Sequence, residues 1–376
     1  MLYYKSCIGS KNMTRFIISV FISIFAFFQV SVMAQPCTMY MVSSSDVSSE
    51  PEVSFSASED FLFPVAIEYD DINEALKNST SGEVICFRDG VYEAIRIINI
   101  QGGVNNITLK AENSEQVSII NDSYSGAGIY IYNSKNIVIS DFIISGGLYG
   151  IYAKGTSDLT ITNNSIYNVG QEGVIIKSGI SMQSLSNFVI ANNIIFDTGN
   201  GLSQYGEGIY IGDGNDNYNE IINHVTIENN NISNVMNEAI DIKINVNNID
   251  IDSNIIKNTN LKFNGVITVA TADRFGADSN ISIRRNAIVG VVNRSGYRAI
   301  GIAVGQGNAL ISDNVIVEDG PKFAGVCLFS TFMNGDANTV TLEGNEVLTS
   351  GVGFVADCGH GGTGADALAN VIEITP

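Results

Sequence analysis

One unit recurs along most of this chain: a Gly or Ala, a strand of alternating apolar and polar residues, a polar turn, a second alternating strand, then Asn before another apolar residue. The first strands read GIYIY, GIYAK, GVIIK, GIYIG, AIDIK, GVITV, AIGIA and GVCLF. The second strands read NIVIS, DLTIT, NFVIA, HVTIE, NIDID, NISIR, ALIS and TVTLE. Units return about every 22 to 35 residues, a period that marks a solenoid whose longer coils carry loop insertions. Alternation with period two turns Ile and Val to one side of each strand. Two such stripes bury each other only if successive coils stack. The Leu-rich horseshoe consensus and the Gly-Gly-x-Gly-x-Asp calcium roll are both absent, which leaves a parallel β-helix.

Asn164, Asn193, Asn230, Asn254, Asn286, Asn314 and Asn345 occupy one equivalent turn position. Stacked side-chain amides there can hydrogen-bond from coil to coil and tolerate left-handed backbone angles, so this column is read as structural. It also explains a composition in which polarity is carried by Asn and 37 Gly, with only 15% charged residues. The formal net charge of −20 excludes a nucleic-acid binder that works by phosphate neutralisation. Two His leave almost no material for a His-centred triad or a His-rich metal site. Any chemistry must use Lys, Arg, Tyr or carboxylates.

The N-terminus reads as an export signal over residues 1–34. Lys5, Lys11 and Arg15 precede an apolar run from Phe16 to Val32, and Val32-Met33-Ala34 supplies small residues before a cleavage point. No second apolar run is long enough to span a bilayer, so the expected product is secreted or extracytoplasmic, with no transmembrane anchor after processing. Cys37, Cys86, Cys327 and Cys358 remain, an even count that permits disulfides without fixing their pairing. Residues 35–60, rich in Ser and Glu, read as a flexible linker. Asp71 and Glu74 then have capping-box spacing, and Ile72, Ala75 and Leu76 give a short helix one apolar face. SGEVICFRDGVYEAIRI reads as two strands about an Asp-Gly turn. Residues 61–104 form an N-terminal cap and residues 105–376 the repeats.

These repeats resemble the right-handed parallel β-helix proteins of the pectate-lyase-like superfamily, and GEVICFRDGVYEAIRI is similar to the capping entry common in that group. The resemblance covers about Phe61 to Pro376. It implies an all-β, single-stranded right-handed parallel β-helix with a short N-terminal capping helix. Activity is left open, because the superfamily holds polysaccharide lyases, glycosidases, epimerases and non-catalytic adhesins on one scaffold.

Residues alternating with the buried Ile and Val point outward. One outward column runs Tyr130, Tyr152, Ile175, Tyr210, Asp241, Thr268, and the next runs Tyr132, Lys154, Lys177, Gly212, Lys243, Ala270. A third holds Glu172, Glu207 and Glu238, followed by Asn264 and Arg298. Tyr130, Tyr152, Lys154, Lys177 and Tyr210 are candidate glycan contacts, or plain strand and edge residues. Carboxylates in register repel one another unless a Lys, a proton or a cation intervenes. Either Lys177 and Lys243 neutralise them, or Ca²⁺ does, with Glu207, Glu238, Asp241 and Asp213 as candidate ligands.

Lyases of this superfamily are similar in using a strand-borne Lys or Arg to remove the proton beside a uronate carboxylate, which Ca²⁺ or a basic residue neutralises. The resemblance thus implies Lys243 as base, with Arg274 and Arg298 stabilising the enolate-like intermediate or gripping the sugar acid. Adjacent carboxylates would raise the pKa of Lys243, so it can serve only if a metal occupies them. The expectation is therefore a secreted lyase of an acidic polysaccharide. The alternatives are a glycosidase using paired carboxylates among Glu207, Glu238 and Asp241, and a non-catalytic glycan-binding β-helix.

Overall fold

The computed structural model describes residues 36–43, 67–69, 71–99, 106–123, 125–179, 184–200, 205–214, 221–261, 264–270, 280–293, 299–305, 308–318, 323–328, 340–349, 353–357 and 371–375. Three parallel sheets of 13, 10 and 10 strands run side by side, with a minor two-stranded sheet. Each coil visits them in turn. Lys135–Ser140 lies in sheet 1, Ile143–Gly146 in sheet 2 and Tyr149–Lys154 in sheet 3, after which Ser157–Thr162 returns to sheet 1 beside Lys135–Ser140. This is the expected parallel β-helix.

A coil holds three strands, where the sequence pattern displays two. The third is short, as in Ser165–Val169 or Asn231–Ser233, and buries only one or two side chains, so alternation has too little length to register. The capping segment likewise supplies a strand to each sheet, with Val84–Phe87 in sheet 1, Gly90–Glu93 in sheet 2 and Ile95–Ile98 in sheet 3. Helix Ile72–Asn78 starts at Asp71, whose side chain accepts a hydrogen bond from the Asn73 N–H at 2.7 Å, and buries Ala75 and Leu76. The segment read as linker contributes structure too. Met39–Met41 pairs in parallel with Val84–Phe87, and a Cys37–Cys86 disulfide ties the two.

Inward positions form continuous stacks. Ile129, Ile151, Val174, Ile209 and Ile240 pair successively along sheet 3, and all are fully buried. Each such side chain contributes about 2 kcal/mol from water exclusion. The corner between sheets 1 and 2 holds the Asn ladder. Asn193 donates from its backbone N and from Nδ2 to Asn230 Oδ1 at 2.9 and 3.0 Å, and Asn230 does the same to Asn254 Oδ1 at 3.0 and 2.9 Å. The remaining Nδ2 hydrogen reaches a strand carbonyl, as from Asn230 to Ile190 O at 2.8 Å. The left-handed residue is not the ladder Asn but the one before it, namely Asn163, Asn192, Asn229, Ser253, Arg285 or Asp313, with φ between 53° and 57°. Among the described residues, thirteen of twenty non-Gly positions with positive φ are Asn, so most of the turn Asn serve backbone conformation instead of the ladder. Among the described residues no helix is long and apolar enough to cross a membrane.

A buried carboxylate centre on sheet 3

At the entrance to sheet 3 the Gly173 N–H donates to Glu207 O and the Gly208 N–H to Glu238 O, which sets Glu172, Glu207 and Glu238 in register one coil apart. The column expected from sequence therefore exists. These acids are not on an open face: Glu172 and Glu207 are 4% exposed, Glu238 and Asp241 1%. Asp241 follows Tyr210 in the outward column of sheet 3. Oxygen atoms of Glu207, Glu238 and Asp241 lie within 4.8 Å of one another.

Few hydrogen bonds compensate this charge. Glu207 accepts from its own neighbour Gly206 N at 2.9 Å and from Asn237 Nδ2 at 3.0 Å, and Glu238 Oε1 accepts from Asn264 Nδ2 at 2.7 Å. Glu172 Oε2, Glu238 Oε2 and Asp241 Oδ1 are buried without a partner. Loss of water pushes the Glu172 carboxyl up to about 7, and the nearby Glu207 carboxylate adds to the rise. Burial also raises Glu238, reinforced by Asp241 and Glu207. Burial raises Asp241 as well, partly offset by Lys243, whose Nζ stands 2.5 Å from Asp241 Oδ2. Burial alone would lower the Lys243 ammonium, yet Asp241, Glu238 and Glu207 together outweigh it and raise its pKa. With its proton held this firmly, Lys243 is a counter-ion in this arrangement and not a base.

Three carboxylates and one ammonium leave buried negative charge that a proton or a cation must meet. Hard oxygen donors suit Ca²⁺, whose bonds of about 2.3–2.6 Å allow two ligand oxygens to lie up to about 5 Å apart. The separation within Glu207, Glu238 and Asp241 satisfies that limit, and the partnerless Glu238 Oε2 and Asp241 Oδ1 are available donors. Asp213 stands apart from them. Its carboxylate accepts from Ser178 N at 3.1 Å and from the Ser178 hydroxyl, and Asn245 Nδ2 adds a contact at 3.3 Å. It is a rung in a polar ladder at the corner from sheet 3 to sheet 1, with its Oδ2 shared among those donors.

The expected glycan contacts flank the acids. Lys177 and Lys243 Nζ each lie 5.0 Å from the Tyr210 ring centroid. Lys154 pairs with Lys177 in the next coil and is half-buried. Tyr130, Tyr132, Tyr149 and Tyr152 form an aromatic platform, with Tyr130 and Tyr149 edge-on to Tyr152 at 5.5 and 5.2 Å. Burial pushes the Tyr152 hydroxyl up to about 12. Burial and the acidic cluster push Tyr210 up as well. Arg274 and Arg298 lie outside the described residues. Sequence reasoning missed Tyr149, which precedes the alternating run, and Asn237, an amide in a chain full of turn Asn. Glu172 was legible as part of the column, but its retained proton follows from burial.

Among solved structures, an alginate lyase from a Paenibacillus species is similar, with a TM-score of 0.58 and 20% identity over 75% of this chain and 95% of that one. The catalytic unit of an α-1,3-glucanase from Streptomyces thermodiastaticus is similar at a TM-score of 0.46 and 17% identity, covering 83% of this chain and 59% of that one. A cell surface glycoprotein of Methanothermus fervidus is 34% identical over 104 residues, 27% of this chain; the match spans only 16% of that protein. Residues 93–288 match the family described as right-handed β-helix region, and that span contains the coils that build the carboxylate centre. Because the match takes in more than half of the sequence and the sheets are stacked and parallel, the chain belongs to the right-handed β-helix family.

Proposed function

We propose that the protein is an extracytoplasmic polysaccharide lyase that cleaves a uronate-containing glycan by β-elimination at the carboxylate centre of sheet 3. The observation that carries this reading is the buried trio Glu207, Glu238 and Asp241, with oxygens within 4.8 Å and two donors lacking partners. Ca²⁺ held by that trio would supply the positive charge that acidifies the proton beside a sugar carboxylate. With the trio committed to the cation, the Lys243 ammonium would give up its own proton to solvent, and the neutral amine would then take the proton beside the sugar carboxylate. The electron pair forms a carbon–carbon double bond, the bond to the glycosidic oxygen breaks, and that oxygen takes a proton from solvent water as it leaves. Tyr210, Tyr152, Tyr130, Lys154 and Lys177 grip the polymer on either side, and Arg274 and Arg298 meet its acid groups. The Cys37–Cys86 disulfide and the signal-like N-terminus support an oxidising, extracytoplasmic location.

Incubation with pectate, alginate and glycosaminoglycans, with Ca²⁺ or with chelator, tests the proposal through absorbance of the new double bond. Absence of signal on every uronate polymer refutes it. One observation favours a second reading, a glycoside hydrolase: Glu172 holds its proton to about pH 7 beside another carboxyl group, as a general acid must. Reducing ends released without a double bond would select it.

A further inference from the structure

Sheet 2 presents an outer face unlike the other two. Its outward positions form two columns over ten strands, from Gly90–Glu93 to Glu346–Thr349. On the eight inner strands these sixteen positions hold a single charged residue, Lys257, although the chain carries 39 acidic and 19 basic residues. Ile194 is 49% exposed, and Tyr167 and Phe196 stack at 4.8 Å on the surface. Charge depletion with exposed aromatic and aliphatic residues is the composition of an interface core.

One column is also corrugated. Val91, Ile143, Ile194, Ile255 and Val315 occupy alternate strands, two coils apart. Ser118, Ser165, Asn231 and Ala287 occupy the strands between. Ridges of large side chains thus recur about every 9.6 Å, with grooves between them. We propose that sheet 2 is a self-association surface on which a second copy of this chain packs face to face. A twofold axis lying in the interface along the strand direction, midway between the Ile194 and Asn231 strands, meets each of the four inner ridges with a groove. Ile194 then faces Asn231, Ile143 faces Ala287, Ile255 faces Ser165 and Val315 faces Ser118.

That axis is the centre of the ten-strand face, so the overlap is complete. Ten strands at about 4.8 Å and four residues of width at about 3.3 Å give roughly 630 Å² in projection. Side-chain relief brings this toward the about 800 Å² per partner of a standard interface, which fits a reversible dimer. Charge supports the same occupant. Two copies with a net charge of −20 repel elsewhere, and on the eight inner strands of this face they can approach without bringing carboxylates together, leaving Glu93 and Glu346 at its two ends.

Sedimentation equilibrium of the full chain across the micromolar range tests the proposal, with Ile194→Asp and Ile255→Asp as interface variants and Thr160→Asp on sheet 1 as control. The expected result is a wild-type dimer, at least tenfold weaker in both interface variants and unchanged in the control, with the same circular dichroism throughout. Amine cross-linking of the unaltered protein gives a check that needs no variant, and should join Lys257 of two copies. A wild-type chain that stays monomeric, or a dimer indifferent to both variants and lacking the Lys257 link, overturns it. So does a monomer that sediments with phosphatidylcholine vesicles through Ile194, since the face would then meet lipid.

Discussion

Replacing Glu172 with Gln in metal-free protein should make the molecule more stable at pH 8 and leave it nearly unchanged at pH 5. The carboxyl titrates near 4.5 when unfolded and near 7 in the folded chain. A folded pKa above the unfolded one means that the native state binds the proton more tightly. The associated stability is complete below pH 4.5 and is lost as pH rises through 7. The difference between those two values corresponds to about 3 kcal/mol, and the side chain is buried enough for that conversion to apply. Gln keeps the shape and never ionises, so it removes this loss. Neighbouring acids and the net charge of −20 also weaken the wild-type protein at high pH, but they act on both proteins and cancel in the difference.

Urea unfolding in chelator at pH 5, 6, 7 and 8 reads the effect directly. The wild-type midpoint should fall along the series, and the gap to Glu172→Gln should open between pH 4.5 and 7, reaching about 2 kcal/mol at pH 6 and levelling off near about 3 kcal/mol above pH 7. A variant less stable than wild type at pH 8, or a gap independent of pH, would refute the reasoning. Either result would mean that Glu172 is ionised and satisfied in the native state.

Other perturbations separate scaffold from site. Saturating Ca²⁺ should raise the melting temperature at pH 8 more than at pH 5, since protonated carboxyls are poor ligands, and Glu238→Gln should abolish the rise; calorimetry checks both. Asn230→Ala removes the acceptor for two Asn193 donors and a donor to Ile190 O, and should cost about 2–4 kcal/mol in urea unfolding without altering Ca²⁺ binding. Cys86→Ser opens a loop of 49 residues and should cost about 4 kcal/mol relative to oxidised wild type in urea unfolding, while reduced wild type should match the variant. Lys243→Ala should lower turnover of the responsive uronate polymer by about 10²–10⁴-fold with little change in affinity.

The sequence was most legible where one requirement repeats in every coil. Inward Ile and Val recur because each stack continues through all coils, and the Asn column because each amide serves the next. The sheet-2 strands were illegible for the converse reason: Asn231–Ser233 buries only Ile232, too little to carry a period. The candidate site was half legible. Register alone aligned Glu172, Glu207, Glu238 and Asp241, but alternation implied an exposed face, whereas Asp241 and Thr268 are buried. Asp213 was read from the sequence as a candidate ligand, and only tertiary structure reveals that Ser178 and Asn245 hydrogen-bond its Oδ2.

A β-helix penalises titratable repeats, because whatever one coil places at a position stands about 4.8 Å from its equivalent in the next. Two corners of this solenoid obey that constraint. The ladder through Asn230 is neutral, and at the corner from sheet 3 to sheet 1 the single acid, Asp213, is bounded by Ser178 and Asn245. The entrance to sheet 3 departs from it, with three glutamates in successive coils and Asp241 beside the last. Amides at Glu172 and Glu207 would have satisfied the fold, and the next position in the column, Asn264, is an amide that binds Glu238. Acids where the scaffold accepts amides are a stability cost without structural return, which is the signature of a site kept for its chemistry. Combining Glu172→Gln, Glu207→Gln and Glu238→Gln in one variant should therefore give a protein more stable than wild type in chelator at pH 8, yet blind to Ca²⁺ and inert on any substrate. Loss of the fold in that variant would instead make the carboxylates structural, and the case for a site here would fail.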